Sequence, residues 1–127
     1  MLFVDDDEDW RLVVRTWLED AGYMVLTAGD GTEAITKAGK IEFDLIILDL
    51  DLNGESGLIL MKFLIENHPG VPIILYTSTA QDDAKIQAMR QQGARHYLIK
   101  GKKEDLLNSI RQTLKTRGSA ADHVKAS

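Results

Sequence analysis

The stretch Asp44-Leu45-Ile46-Ile47-Leu48-Asp49-Leu50-Asp51 decides how the rest of the chain is read. Its run from Leu45 is apolar toward both faces, the pattern of a buried strand in a parallel sheet rather than of a strand with one wet side. Working outward, four more short apolar runs follow, Met1 to Val4, Tyr23 to Ala28, Val71 to Tyr76, and His96 to Ile99, and Val71 to Tyr76 shares the two-faced pattern. These are five strand candidates.

Segments of helical period separate them. Trp10, Val13, Val14, Trp17, Leu18 and Ala21 follow the i, i+3, i+4, i+7 stripe of an amphipathic helix that stops at Gly22. Asp30-Gly31-Thr32-Glu33 has capping-box spacing ahead of Ala34, Ile35 and Ala38. A third helix is expected over 56–66 and a fourth over 82–92, the latter thinly apolar at Ile86 and Met89 and closed by Gly93. Leu106, Leu107, Ile110 and Leu114 mark one side of a fifth. Five alternations with short connections predict one α/β domain, a five-stranded parallel sheet with helices on both faces joined by right-handed crossovers. That domain spans 1–117, and the small, polar residues 118–127 read as a flexible tail.

Composition narrows the function. The chain has 127 residues, 44% of them hydrophobic and 28% charged, enough for a single core. Twenty acidic against fifteen basic residues give a net charge of -5, the wrong sign for a general nucleic-acid surface or an anionic membrane. Cysteine is absent, which excludes a disulfide framework, a thiolate nucleophile and cysteine-ligated metal. No apolar run approaches the ~20 residues of a membrane span, and the acids after Val4 do not suit a signal peptide, so a cytoplasmic location is expected.

In open α/β sheets, ligands bind beyond the carboxyl ends of the strands, where the strand order reverses. The first strand ends in Asp5-Asp6-Asp7, the third in Asp49 and Asp51, the fourth in Thr77-Ser78-Thr79, and the fifth in Lys100. Two carboxylates about 4 Å apart repel by ~4 kcal/mol at an effective dielectric near 20, so this edge calls for a cation. All-oxygen ligands with room for water suit Mg2+, usually there to hold a phosphoryl oxygen. Thr77 and Lys100 are then donors to that same group, and an aspartate is a competent nucleophile for phosphoryl transfer. Taken singly, Thr77 reads as a strand residue, Tyr97 as core filling and Lys100 as an ordinary surface lysine; their joint placement raises them. Trp10 and Trp17 belong to the helix stripe, and His68, His96 and His123 have no ligand spacing.

Val4-Asp5-Asp6-Asp7, the Asp44 to Leu50 stretch with Gly54 and Gly57 after it, Pro72-Ile73-Ile74-Leu75-Tyr76-Thr77-Ser78, and Gly93-Ala94-Arg95-His96-Tyr97-Leu98-Ile99-Lys100 resemble the receiver domains of two-component response regulators. The intervals are 43 residues from Asp6 to Asp49, 28 to Thr77 and 23 to Lys100. The resemblance implies a flavodoxin-like (βα)5 fold of strand order 2-1-3-4-5. It makes Asp49 the phosphoacceptor and assigns Mg2+ to Asp6 directly, Asp5 through water, Asp49, and Asp51 through its backbone carbonyl. Thr77 becomes the switch hydroxyl, Lys100 the phosphoryl-binding cation, and Tyr97 the aromatic that reports the state. It further implies a histidine kinase or phosphotransfer protein, or a small phosphodonor, as the source of phosphate. The output surface is the face of the fourth helix, fifth strand and fifth helix, serving an effector or attached output domain that the sequence does not identify. A homodimer is compatible with it. The chain is then no enzyme in the ordinary sense, although such domains support their own phosphorylation and autodephosphorylation.

Several residues depart from the family pattern. Gly101 follows Lys100 where proline in a cis bond is usual, so a trans bond and a looser loop are expected, a non-proline cis bond costing ~2.5–4 kcal/mol. Asn53 and Ser56 stand where proline and an acid are common, which predicts more movement in that loop. Asp51 and Thr79 occupy the positions that tune the lifetime of the acyl phosphate. Two other readings compete. Asp49-Leu50-Asp51, Thr77 and Lys100 also resemble the first motifs of haloacid-dehalogenase-like phosphatases, but of that family's late acidic pair only Glu104, Asp105 and Asp122 remain as candidates. A receiver-fold binding module that is never phosphorylated is the other.

Overall fold

The computed structural model describes residues 1–126, with side chains through Thr116. In chain order the elements are β1 (Leu2–Val4), α1 (Glu8–Asp20), β2 (Leu26–Ala28), α2 (Gly31–Lys40), β3 (Ile46–Leu48), β4 (Asp51–Leu52), β5 (Glu55–Ser56), α3 (Gly57–Asn67), β6 (Ile73–Thr77), α4 (Asp83–Gln91), β7 (Ala94–Ile99) and α5 (Lys103–Ala126). The polar tail expected over 118–127 lies outside the residues whose side chains are described.

One five-stranded sheet runs β2-β1-β3-β6-β7 with every pair parallel. This is the expected 2-1-3-4-5 order once the small β4–β5 hairpin is set aside. The alternation of side chains along each strand sorts the core into two layers. Leu2, Val4, Ile46, Leu48, Ile73 and Leu75 pack under α2, α3 and α4, together with Ala34, Leu60, Met61, Leu64 and Met89. Phe3, Leu45, Ile47, Ile74 and Tyr76 face the other way, onto Val14 and Leu18 of α1 and Leu106 and Ile110 of α5. Burial of each such Leu or Ile contributes roughly 1.5–3 kcal/mol.

The α1 stripe is narrower than its periodicity suggests. Val14 and Leu18 are fully buried, but Val13 is 38% exposed and Ala21 lies outside the core. Caps account for where the helices begin. Asp7 accepts from the Trp10 N–H, Asp30 from Glu33, Ser56 from Ile59 and Asp82 from Lys85, each satisfying a donor that the first helical turn leaves without a partner. The Asp30 half of the expected capping box forms, whereas Glu33 reaches one residue past the cap and accepts the Gly29 N–H at 2.7 Å.

The loop after Asp49 has strand pairing of its own. It forms a two-residue hairpin with Asp51 opposite Ser56 and Leu52 opposite Glu55. Asn53 and Gly54 sit at φ 50° and 87°, the left-handed pair that closes a type I′ turn, for which Asn-Gly is the preferred dipeptide. The Glu55 carboxylate then accepts the Gly31 N–H at 3.2 Å and ties the hairpin to α2. No peptide bond among the described residues is cis, as the Gly101 substitution predicts. Among the same residues, no helix is long and apolar enough to cross a membrane.

Candidate functional site

Strand pairing carries the acids to one edge. The Asp5 N–H extends the ladder to Ala28 O at 3.0 Å, and the Asp49 N–H bonds Val4 O at 3.0 Å. Because β1 and β3 are neighbours at the reversal of strand order, Asp5 and Asp49 emerge side by side. One carboxylate oxygen from each of Asp5, Asp6 and Asp49 lies within 4.8 Å of the other two. Asp5 and Asp49 are buried and Asp6 is exposed, so the cluster has a closed floor and an open mouth.

Backbone amides orient the two buried acids. Asp5 Oδ1 accepts the Asp7 N–H at 2.9 Å, and Asp49 Oδ1 accepts the Asp51 N–H at 3.1 Å. Their second oxygens converge on one ammonium: Lys100 Nζ stands 2.5 Å from Asp5 Oδ2 and 2.8 Å from Asp49 Oδ2. Asp5 contributes a fully buried carboxylate to this contact, and Lys100 is the cation that faces it. Burial raises the Asp5 carboxyl above its ordinary pKa, against the opposing pull of Lys100 and the Asp7 N–H. For Lys100, burial works against the charge, but the hydrogen bonds and charges of Asp49 and Asp5 outweigh it and hold its pKa above the ordinary lysine range.

The remaining predicted residues stand on β6, β7 and the β4–β5 hairpin. Thr77 ends β6, fully buried, with its Oγ1 accepting the Thr79 N–H at 3.5 Å. The Tyr97 hydroxyl donates to the Thr79 carbonyl and so reaches the β6–α4 loop from β7. Asp51 sits at the start of the hairpin, its side chain exposed. The acidic run divides in two: Asp5 and Asp6 belong to the pocket, whereas Asp7, Glu8 and Asp9 cap and line the first turn of α1.

Gly57 is fixed by space. A Cβ there would lie 2.3 Å from the Asp49 carbonyl oxygen and 2.5 Å from Leu50 Cα. The start of α3 therefore packs directly on the backbone of Asp49, and the Gly57 N–H bonds Leu50 O at 2.9 Å.

Three supporting residues escape a sequence reading. Arg11 donates from its guanidinium to the Asp5 carbonyl at 2.6 Å, bracing the β1–α1 turn. Glu55 anchors the hairpin as described, and Tyr76 accepts the Gly101 N–H at 3.3 Å. In sequence, Arg11 is one charge on a helix and Tyr76 one more core aromatic. Glu55 had a nearby signal, since Asn53-Gly54 marks a hairpin whose next residue must point somewhere.

Residues 1–111 match the family described as the response regulator receiver domain. The chain belongs to that family. This receiver is similar to the regulatory protein LuxO of Vibrio cholerae, with 33% identity over 119 residues covering 90% of this chain and 26% of LuxO. In structure it is similar to a CheY-like receiver domain protein from Methanospirillum hungatei, with 28% identity and TM-score 0.86 over 94% of this chain and 95% of that one. It is also similar to the response regulator TrrA of Thermotoga maritima, solved in complex with Mg2+ and BeF, at 27% identity and TM-score 0.80 over 88% and 96% of the two chains. The receiver spans between a fifth and about half of the length of the curated relatives it matches. Receivers of this family are phosphoacceptor signalling domains. Glu104 and Asp105, the acids a phosphatase would need after Lys100, lie instead in the first turn of α5.

Proposed function

We propose that Asp49 accepts a phosphoryl group and that the domain relays a two-component signal by changing shape around it. The observation that carries this reading is the convergence of Asp5 and Asp49 on Lys100 at 2.5 and 2.8 Å, with Asp6 at the mouth. An all-oxygen cluster of three carboxylates, two of them buried, suits a hard divalent ion. Asp6, Asp49 and the Asp51 carbonyl would hold Mg2+, with Asp5 acting through water. Mg2+, when bound, neutralises charge on the transferring phosphoryl group.

The chain's own residues perform the rest. The Asp49 carboxylate forms the new P–O bond as the donor's P–N bond (a phosphohistidine) or P–O bond (a small phosphodonor) breaks, and the electron pair leaves with the donor. Lys100 remains beside Asp49 and binds a phosphoryl oxygen; the Thr77 hydroxyl turns to donate to another. The added charge of about -1.5 to -2 is the stimulus. Movement of Thr77 disturbs the Thr79 segment to which Tyr97 is tied, and the change is presented on the face of α4, β7 and α5. Loss of the phosphoryl group by the domain's own autodephosphorylation resets it, at a rate tuned by Asp51 and Thr79. A histidine kinase or phosphotransfer protein supplies the phosphoryl group, and an effector or attached output domain reads the result.

A beryllofluoride titration in Mg2+ tests this. Wild-type protein is expected to bind the mimic and melt at higher temperature, and Asp49→Asn to lose both effects. Absence of binding by the wild type would sink the phosphoacceptor role and leave a receiver-fold binding module.

A further inference from the structure

Lys100 owes its place to two consecutive residues of β6. Its own N–H donates to the Thr77 carbonyl at 2.8 Å, continuing the β6–β7 ladder. The next N–H along, that of Gly101, leaves the ladder and donates to the Tyr76 hydroxyl at 3.3 Å. Gly101 has φ 116° with nothing within 4 Å of where a Cβ would sit. Backbone conformation, not crowding, therefore requires glycine there, and that turn points the amide back at the sheet.

Tyr76 is fully buried among apolar side chains of α1 and α5. Its ring is stacked on Trp10 at 6.2 Å between centroids and 29° between planes, and Trp17 meets Trp10 edge-on at 5.5 Å and 82°. Packing alone would be served by phenylalanine, since a phenol oxygen in such a layer costs desolvation unless it finds a partner. The Gly101 N–H is that partner. Burial also raises the Tyr76 pKa, so the hydroxyl stays neutral.

We propose that the Tyr76 hydroxyl is a positioning group for Lys100, holding the Gly101 turn so that the ammonium is delivered between Asp5 and Asp49. The ligand half of this proposal rests on the phosphoacceptor reading; the backbone half does not. Tyr76→Phe removes one oxygen and keeps the ring against Trp10, so the domain still folds, which a melting curve verifies. Three quantities are measured on the full chain, wild type and variant: Gly101 amide exchange in metal-free protein, Mg2+ affinity by calorimetry, and beryllofluoride affinity in saturating Mg2+.

Gly101 exchange is expected to quicken and beryllofluoride affinity to fall, each about tenfold, the factor that matches loss of one hydrogen bond. Mg2+ affinity is expected to hold or rise, because a less tightly placed Lys100 competes less for Asp5 and Asp49. A merely structural role would weaken both ligands together, and that result overturns the proposal. So does unchanged Gly101 exchange or unchanged beryllofluoride affinity. If the wild type itself does not bind beryllofluoride, the phosphoacceptor reading falls instead. Gly101 exchange in the metal-free pair then decides whether Tyr76 holds the turn, quickened exchange supporting it and unchanged exchange overturning it.

Discussion

Replacing Lys100 with methionine keeps the aliphatic stem and removes the ammonium on which two buried acids converge. Three carboxylate oxygens lie within 4.8 Å of one another, so each ionised pair repels by about 3.5 kcal/mol or more at an effective dielectric near 20. Lys100 Nζ, at 2.5 and 2.8 Å from Asp5 and Asp49, offsets that repulsion. The variant has one route of relief, protonation of Asp5, whose carboxyl burial already pushes upward. Asp6 adds little because it faces water. The expected loss is therefore about 3 kcal/mol, the low end for breaking a buried pair, or roughly 10 °C in a domain of this size. Urea unfolding without metal measures it. Mg2+ at about 100 times its Kd should return ~2.7 kcal/mol, with a lower Kd in Lys100→Met than in wild type because the acids are no longer shared. Adding Asp5→Asn should recover most of the loss without metal, since the interaction is between neighbours and not additive. Equal stability of Lys100→Met and wild type in metal-free buffer, or no preferential rescue by Mg2+, would refute this account of the pocket.

Other perturbations test other parts. Gly57→Ala places a Cβ 2.3 Å from the Asp49 carbonyl and should cost about 3 kcal/mol or more in urea unfolding, with reduced beryllofluoride affinity, because α3 must lift from the Asp49 backbone. Glu33 gives the pH dependence: the Gly29 N–H foremost, then Lys37, lowers its carboxyl below the ordinary 4.5. A folded-state pKa below the unfolded one adds stability above about pH 4.5 that is lost as pH falls through the folded value. Glu33→Gln should flatten that acid limb in a melting series from pH 6 to 3.

Much of this was legible in the sequence because it is written in local patterns. The apolar run from Leu45 to Leu48 could only be a strand buried on both faces, and the acids at its end had to emerge at the carboxyl edge. Asp30 with Glu33 and Ser56 with Ile59 show capping where residue types allow it. Lys100 could be assigned but not its dual partnership, since that depends on β7 lying three strands from β1 and two from β3. Val13 was misplaced because a periodic stripe does not say how far a helix rolls on its sheet. Asn53 departs from a family proline, and that departure draws attention away from the hairpin signal that Asn53-Gly54 carries in its own right. Tyr76 was illegible, its hydroxyl meeting an amide 25 residues away.

The contact at Gly57 has a mechanical consequence. With no side chain between them, α3 and the backbone of Asp49 move as one piece, and α3 is further seated by Leu60, Met61 and Leu64. On the opposite flank, α4 is held by a single buried residue, Met89. A force applied at Asp49 thus meets a stiff abutment on one side and a compliant one on the other. A displacement starting at Asp49 would pass to α4 more readily than to α3, because of the difference in grip between the two helices.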